Sequence, residues 1–426
     1  LERKTDLMNI LHTSDWHLGQ NFMFRERKKE HEHFLDWLLA TIETKAIDLL
    51  IVSGDIFDTA TPPNYALSMY YRFLSRASAT CCRKIVITGG NHDSVACLNA
   101  PREILEAMDI HVVGGITGDL EEEIITVRDG LGQTSAIVCA VPFLRDRDIR
   151  RSLPGESYEE KNKALALGIK AHYEAVAEKA LEGWDRSRPV PIIAMGHLFA
   201  AGGEVKEGEH IRDIHVGSLD KFNVAQIPAA FDYVALGHLH RAQTAGGLDH
   251  VRYSGSPIPL SFSEAGSKKQ VITITFAQGN ETMEIQSLEV PEFQRLRAVK
   301  GDLESVLETL ETLKSEGGNP GGDFPTTWVE ISVNSETWQP DTEERITLGV
   351  EGSTLEIFAI KRLKNPAILC GEEMDSTTEL AHFTPEEVFE RRLVAEGEMA
   401  PDVKEEMTLA FREITAMIHQ ENQELL

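Results

Sequence analysis

The chain has 426 residues, 42% of them hydrophobic and 26% charged, a length that points to two or three domains and a composition that excludes collagen-like, fibrous and fully disordered proteins. Its formal net charge of −27 excludes a general basic field as the means of holding a polyanion. No run approaches the roughly 18 apolar residues of a membrane span, and no basic segment followed by an apolar stretch opens the chain, so a cytoplasmic protein without a membrane segment is expected.

In chain order, residues 1–7, ahead of Met8, read as an upstream extension without functional weight. Five segments then share one pattern, a short apolar run followed by a turn holding His, Asp or Asn: NILHTSDWHLG (Asn9 to Gly19), DLLIVSGDIFD (Asp48 to Asp58), KIVITGGNHD (Lys84 to Asp93), VPIIAMGHLF (Val190 to Phe199) and DYVALGHLH (Asp232 to His240). Runs this rich in Ile, Val and Leu predict strands buried on both faces. Helix-compatible stretches, His31 to Lys45 and Asn64 to Ser78, separate the first three, which implies an α/β sheet. Ligands of such sheets bind beyond the carboxyl ends of the strands, where all five turns fall. The cysteines Cys81, Cys82, Cys97, Cys139 and Cys370 match no zinc spacing and read as reduced packing thiols.

After Phe276, Gln278-Gly279-Asn280 marks a turn. Leucines at 3–4 spacing in DLESVLETLETLKS (302–315) predict an amphipathic helix, GGNPGG (317–322) a loop, and WVEISV (328–333) and TLEIFAIKRL (354–363) strands. Residues 371–383 form a polar, acidic linker. Thr384, Pro385 and Glu387 are the signature of a helix start, and a second helix follows from Pro401 with Val403, Met407, Ala410, Phe411, Ile414 and Ile418 on one face. Such a stripe must fold back or dock on another chain. Acidity concentrates here: residues 1–289 hold 30 Lys and Arg against 40 Asp and Glu, and residues 290–426 hold 12 against 29.

The turns offer Asp15, His17, Asp55, Asn91, His92, His197, His238 and His240. Imidazole, carboxylate and amide oxygen together suit Mn²⁺, Fe²⁺ or Zn²⁺. That is more than one ion takes with room for water, so two ions sharing a carboxylate are expected, and such a pair about 3.5–4 Å apart promotes in-line displacement at phosphorus. His31, His33, His111, His172 and His419 read as surface histidines. Arg25, Arg27, Lys28 and Lys29, just past the first turn, are either a solvated face or a phosphate contact. Tyr65, Met69, Phe73, Tyr70 and Tyr71 on the 64–78 helix give either a core face or a homodimer seam.

The ordered set DWHLG, GDIFD, GNHD, GH and GHLH is similar to the calcineurin-like metallophosphoesterase superfamily. With SGDIFDTATPPNYA, GHLHRAQ and YSGSPIPLSF, the chain from Met8 onward resembles its bacterial nuclease subunits that act with an ATPase in DNA-end processing. The resemblance implies a β-sandwich flanked by helices (8–285), a small α+β capping domain (286–370) and a linker with a C-terminal helical pair (371–426). It implies that Asp15, His17, Asp55 and His240 hold one ion and Asp55, Asn91, His197 and His238 the other, Mn²⁺ being favoured. His92 would face the scissile phosphate as a catalytic group, oriented by Asp58. Residues 384–420 would clasp the coiled coil of the ATPase, the substrate would be DNA, and two copies would form a homodimer within a heterotetramer. ATP hydrolysis would belong to the partner, since no GxxxxGK[ST] occurs here. A Ser/Thr phosphatase would show GDxxDRG and GNHE, and its phosphate-gripping Arg is absent. The alternatives are an enzyme for a small phosphodiester and a non-catalytic scaffold, which predicts lost ligands.

Overall fold

Alternate residues of a strand face opposite ways, so a strand apolar throughout must separate two dry layers. All five residues of Leu49–Ser53 are buried, with Leu49 and Ile51 on one side and Leu50 and Val52 on the other. The computed structural model describes residues 7–150, 156–182, 189–200, 222–277, 282–315, 323–334 and 336–363, with Met407 and Phe411. In it this strand belongs to a six-stranded sheet, in the order Met283–Glu289, Gln270–Ala277, Leu7–Thr13, Leu49–Ser53, Lys84–Thr88, Ile110–Val113. The last four run parallel, Ile10 opposite Leu49 and Leu50 opposite Ile85, and Gln270–Ala277 pairs antiparallel with Leu7–Thr13. Parallel neighbours need crossover connections. The helices Lys28–Thr44 and Asn64–Ala77 supply two of them.

A second sheet is ordered Gln243–Ala245, Leu248–Tyr253, Tyr233–Gly237, Ile192–His197, Thr134–Cys139, Ile124–Arg128. Ile10, Ile51 and Val86 of the first sheet meet Val138, Ile193, Met195 and Ala235 of the second in a shared core. Outside it, Leu11, Leu50 and Val52 pack with Phe34, Leu38 and Phe73 of the two crossover helices. Helix Tyr158–Glu182 covers the other flank through Leu165, Ile169, Tyr173 and Val176. The result is the helix-flanked β-sandwich that the family resemblance implies; the strand patterns alone indicate only an α/β sheet. Thr13, Ser53, Thr88, His197 and Gly237 end five strands, and each leads into one of the polar turns. Ser53 Oγ donates to Ala235 O at 3.0 Å across the two sheets, which ties these ends together.

The strand Met283–Glu289 carries the first sheet past the boundary expected at 285. Beyond it, Leu296–Gly301, Thr327–Asn334 and Leu355–Leu363 form a three-stranded sheet, accompanied by helices Leu303–Ser315 and Thr342–Val350. The chain divides into two compact units, residues 1–299, 307–331 and 343–360 in one and 300–306, 332–342 and 361–426 in the other. Within the first, Phe22, Phe262 and Leu296 form a small core with Trp328 and Phe358 against it. Within the second, Leu303 N–H donates to Thr337 Oγ1 at 3.3 Å. The helices expected over 384–420, Met407 and Phe411 apart, the 371–383 linker, the GGNPGG loop and residues 1–6 lie outside the described residues. No helix among the described residues is long and apolar enough to cross a membrane.

Candidate metal centre

Four of the predicted ligands hold a left-handed backbone, which residues other than glycine adopt at a cost of about 1–3 kcal/mol each: Asp15 (φ 52°), His17 (φ 46°), Asp55 (φ 50°) and His238 (φ 99°). The surrounding hydrogen bonds fix these turns. Asp15 N–H donates to Gly54 O and His17 N–H to Asp55 O, both at 3.0 Å, and Leu18 N–H to Ile56 O at 2.9 Å, so the first and second turns run as a backbone ladder. Glycine is required where these turns crowd together. A Cβ on Gly54, itself at φ +81°, would collide with the His197 ring, and one on Gly90 with the Asp55 carboxylate.

The side chains converge. Asp15, His17, Asp55, His197 and His240 are buried, and Asn91, His92 and His238 partly so. Donor atoms of three overlapping groups, Asp15–His17–His240, His17–Asp55–His92 and Asp15–Asp55–His197, each lie within 4.8 Å of one another. Asp55 Oδ2 stands 3.2 Å from His197 Nε2 and 3.6 Å from His17 Nε2. Asn91 Oδ1 accepts from His197 Nε2 at 2.9 Å and from His238 Nδ1 at 3.1 Å. Asp55 Oδ1 accepts the His92 N–H and Asp15 Oδ1 the His238 N–H, both at 2.9 Å. All seven predicted ligands therefore meet around Asp55 and Asp15.

The charges at the centre are strongly interdependent. Burial opposes a charge on Asp55, yet His197, His17 and His92 hold its carboxyl well below the usual range. Burial likewise opposes a charge on His197, but Asp55 lifts that imidazole to about 9. Loss of water around the ring and the neighbouring His197 push His238 down to about 3. His17 Nε2 is buried with no hydrogen-bond partner, while Nδ1 faces the Asp58 carboxylate at 3.2 Å, so in the neutral ring the Nε2 lone pair is one that a nearby dication would satisfy. Two carboxylates, one amide oxygen and four imidazoles at this density fit a pair of dications.

Asp58 departs from expectation. His92 Nδ1 donates to the backbone O of Asp58 at 2.8 Å, whereas the Asp58 carboxylate lies 3.2 Å from His17 Nδ1. The Asp58 N–H is tied to Leu18 O at 3.2 Å, which sets its side chain toward the first turn and its carbonyl toward the third. A carbonyl cannot stabilise an imidazolium as a carboxylate does, and burial lowers His92 below its ordinary value. Asp58 thus bonds His17 through its carboxylate and His92 through its backbone carbonyl.

Sequence reasoning passes over Asp93, the last letter of GNHD. Its buried carboxylate accepts from the N–H of Ile56 (3.1 Å), Phe57 (3.0 Å) and Gly90 (2.9 Å) and so joins the second and third turns; burial and the Asp55 charge raise it to about 6. Ser254, from YSGSPIPLSF, bonds Ser14 Oγ at 2.8 Å, which in turn donates to Asp15 Oδ2 at 2.5 Å. His31 is not a surface residue: it is fully buried, its Nε2 at 3.1 Å from Trp16 O. Arg27 is also turned inward, paired with Glu30 and bonded to Pro259 O, which removes it from the expected phosphate-binding run.

The model described as Calcineurin-like phosphoesterase matches residues 8–242, and that described as Type 5 capsule protein repressor C-terminal domain matches residues 292–397. The two sheets and their turns are therefore a calcineurin-like phosphoesterase domain, a metal-dependent hydrolase with a dinuclear site. The SbcD subunit of nuclease SbcCD from Escherichia coli (strain K12) is 40% identical over 91% of this chain and 93% of its own length. The proteins of the same name from Rhodobacter capsulatus and Bacillus subtilis (strain 168) are 37% and 35% identical, each over 64% of this chain and over 67% and 68% of their own. This chain belongs to the SbcD family of nuclease subunits.

Proposed function

We propose that the chain is the Mn²⁺-dependent DNA nuclease of a two-component end-processing complex, cutting double-stranded ends as an exonuclease and single strands or hairpins as an endonuclease in the cytoplasm. Asp15, His17, Asp55 and His240 would hold one ion, and Asp55, Asn91, His197 and His238 the other. The carrying observation is Asp55 Oδ2, set between His17 Nε2 at 3.6 Å and His197 Nε2 at 3.2 Å, where one carboxylate serves both groups. When bound, two such ions lower the pKa of water and neutralise charge developing on a phosphodiester. The chain's own contribution is orientation: Asp58 aligns His17, Asp93 joins two ligand turns, and the Nδ1 bond of His92 directs its Nε2 edge for proton transfer to the departing oxygen.

Residues 384–420 would dock an SbcC-type ATPase, as the name of the relatives suggests, and residues 286–370 would serve as a capping domain. A groove of about 530 Å³ lined by Tyr71, Leu74, Ala100, Ile104 and Met108, with Ile104 70% exposed, supports a homodimer seam within a heterotetramer. Incubating the purified chain with Mn²⁺ and end-labelled duplex DNA, with and without the ATPase, beside a small chromogenic phosphodiester, tests the reading. Mn²⁺-dependent shortening of the duplex, enhanced by the ATPase and ATP, is expected. Turnover of the small substrate alone would replace it with the small-phosphodiester reading.

A further inference from the structure

Behind His240 lies a buried charged cluster that the chemistry above leaves unused. Glu264 and Lys269 are 3% and 8% exposed, and both follow the YSGSPIPLSF segment in the chain. Glu264 Oε1 stands 3.5 Å from His240 Nδ1, and neither atom has a hydrogen-bond partner within normal reach. The other carboxylate oxygen, Oε2, is taken by Lys269 Nζ and by Ser256 Oγ and Leu260 N–H, the last two at 3.3 Å. Lys269 Nζ donates as well to Ser256 Oγ at 2.8 Å and to the backbone O of His240 at 3.1 Å. Its three protons thus have three acceptors, one of them on the residue it stands behind.

Buried ion pairs of this kind add little stability that well-packed apolar residues would not supply. The cluster therefore calls for another explanation, and its geometry offers one. A neutral imidazole can ligate only through the nitrogen without a proton, and an acceptor at the other nitrogen decides which that is. Glu264 occupies that place at Nδ1, on the edge of the ring away from Nε2.

We propose that Glu264 is a positioning residue of the metal centre: it holds the His240 proton on Nδ1, presents Nε2 to the Asp15–His17–His240 group, and is itself fixed by Lys269. This rests on reading His240 as a ligand. The 3.5 Å separation lies beyond a normal N–H···O bond, so contraction of that distance on metal loading is part of the proposal.

The test is calorimetric titration of Mn²⁺ into EDTA-stripped full-length chain, wild type and variants. Wild type is expected to bind two ions; binding of none would overturn the metal reading and this proposal with it. Glu264→Gln, which keeps the shape and removes the charge, should weaken one of the two sites about ten- to a hundredfold and leave the other unchanged. Two unaltered sites in that variant would overturn the positioning role alone. In a His240→Asn background, Glu264→Gln should have no further effect on affinity, and an additive loss would mean that Glu264 acts elsewhere. Glu264→Gln/Lys269→Met leaves no unpaired buried charge. It should unfold at the wild-type temperature in EDTA yet keep the weakened site, whereas restored affinity would make charge balance, and not the carboxylate, responsible.

Discussion

The turn Ser14–His17 and the basic run Arg25–Lys29 lie close together near the start of the chain, both dense in charged and polar groups, and they handle charge in opposite ways. In the first, buried Asp15 and His17 face Asp55 and His240 from distant turns, and His17 Nε2 has no hydrogen-bond partner. In the second, each of three cations has an anion of this same chain: Arg27 the buried Glu30, Arg25 Glu356, and Lys29 Asp323 at 3.6 Å. Lys28 lies over the Tyr65 ring, 5.9 Å from its centroid. Charge that converges from several turns onto one point marks the reaction site, whereas charge paired within the chain at a single place holds the fold together.

Asp55→Ala gives the largest effect expected of this contrast. Removing the carboxylate between His17 and His197 should release both ions and reduce nuclease activity to background, with elemental analysis as the measurement. Metal content near wild type would end its assignment as the shared ligand. His92→Ala comes next. It should keep both ions and lose about 10²–10⁴-fold in turnover, the range for a positioned proton donor; loss of metal would make His92 a ligand.

Arg27→Met should act on the other side of the comparison. Leaving Glu30 buried and unpaired is expected to cost about 3–5 kcal/mol of stability, read from urea unfolding, with metal content unchanged. Arg27→Met/Glu30→Leu should recover most of that loss. A variant that unfolds normally but binds less Mn²⁺ would place Arg27 in the metal machinery after all. Asp58→Asn is milder. It should weaken metal binding about ten- to a hundredfold through His17, and a shift of the alkaline limb of the pH–rate profile to lower pH with unaltered metal affinity would instead restore the carboxylate to His92.

The strands and ligand turns are legible in the sequence because each is local: four to six apolar residues and a polar turn identify a buried strand and its open end, and five repetitions imply an α/β sheet, while its pairing with a second sheet as a sandwich comes from the family resemblance. Helices at 28–44 and 64–77 lie close to where periodicity puts them. The partners of Asp58, Asp93 and Glu264 are not legible, since each depends on how turns from different strands face one another. Asp58 shows this best: its spacing from Asp55 suggests a role near the metals, but only the packing of the first turn against the second brings its carboxylate to His17 Nδ1 at 3.2 Å. Arg27 was readable in principle, because Glu30 stands one helical turn away, yet four basic residues within five positions look solvated until Pro259 is seen to cover one of them.

The smallest expected effect tests whether the basic run is as fully committed as it looks. Each phosphate contact a protein makes to duplex DNA releases counterions, so log K falls against log salt with a slope of about −0.9 per contact. Arg25 and Lys29 are exposed at their tips, but their charges face Glu356 and Asp323. Neutralising both therefore removes no free cation, and it also frees two carboxylates that would repel DNA. These two consequences separate in one measurement. The double variant Arg25→Ala/Lys29→Ala should keep the wild-type slope of DNA binding against salt while binding slightly more weakly at every salt concentration. A slope shallower by about one or two contacts would show that DNA displaces Glu356 and Asp323, and that the intrachain pairs hold the two cations in place for phosphate.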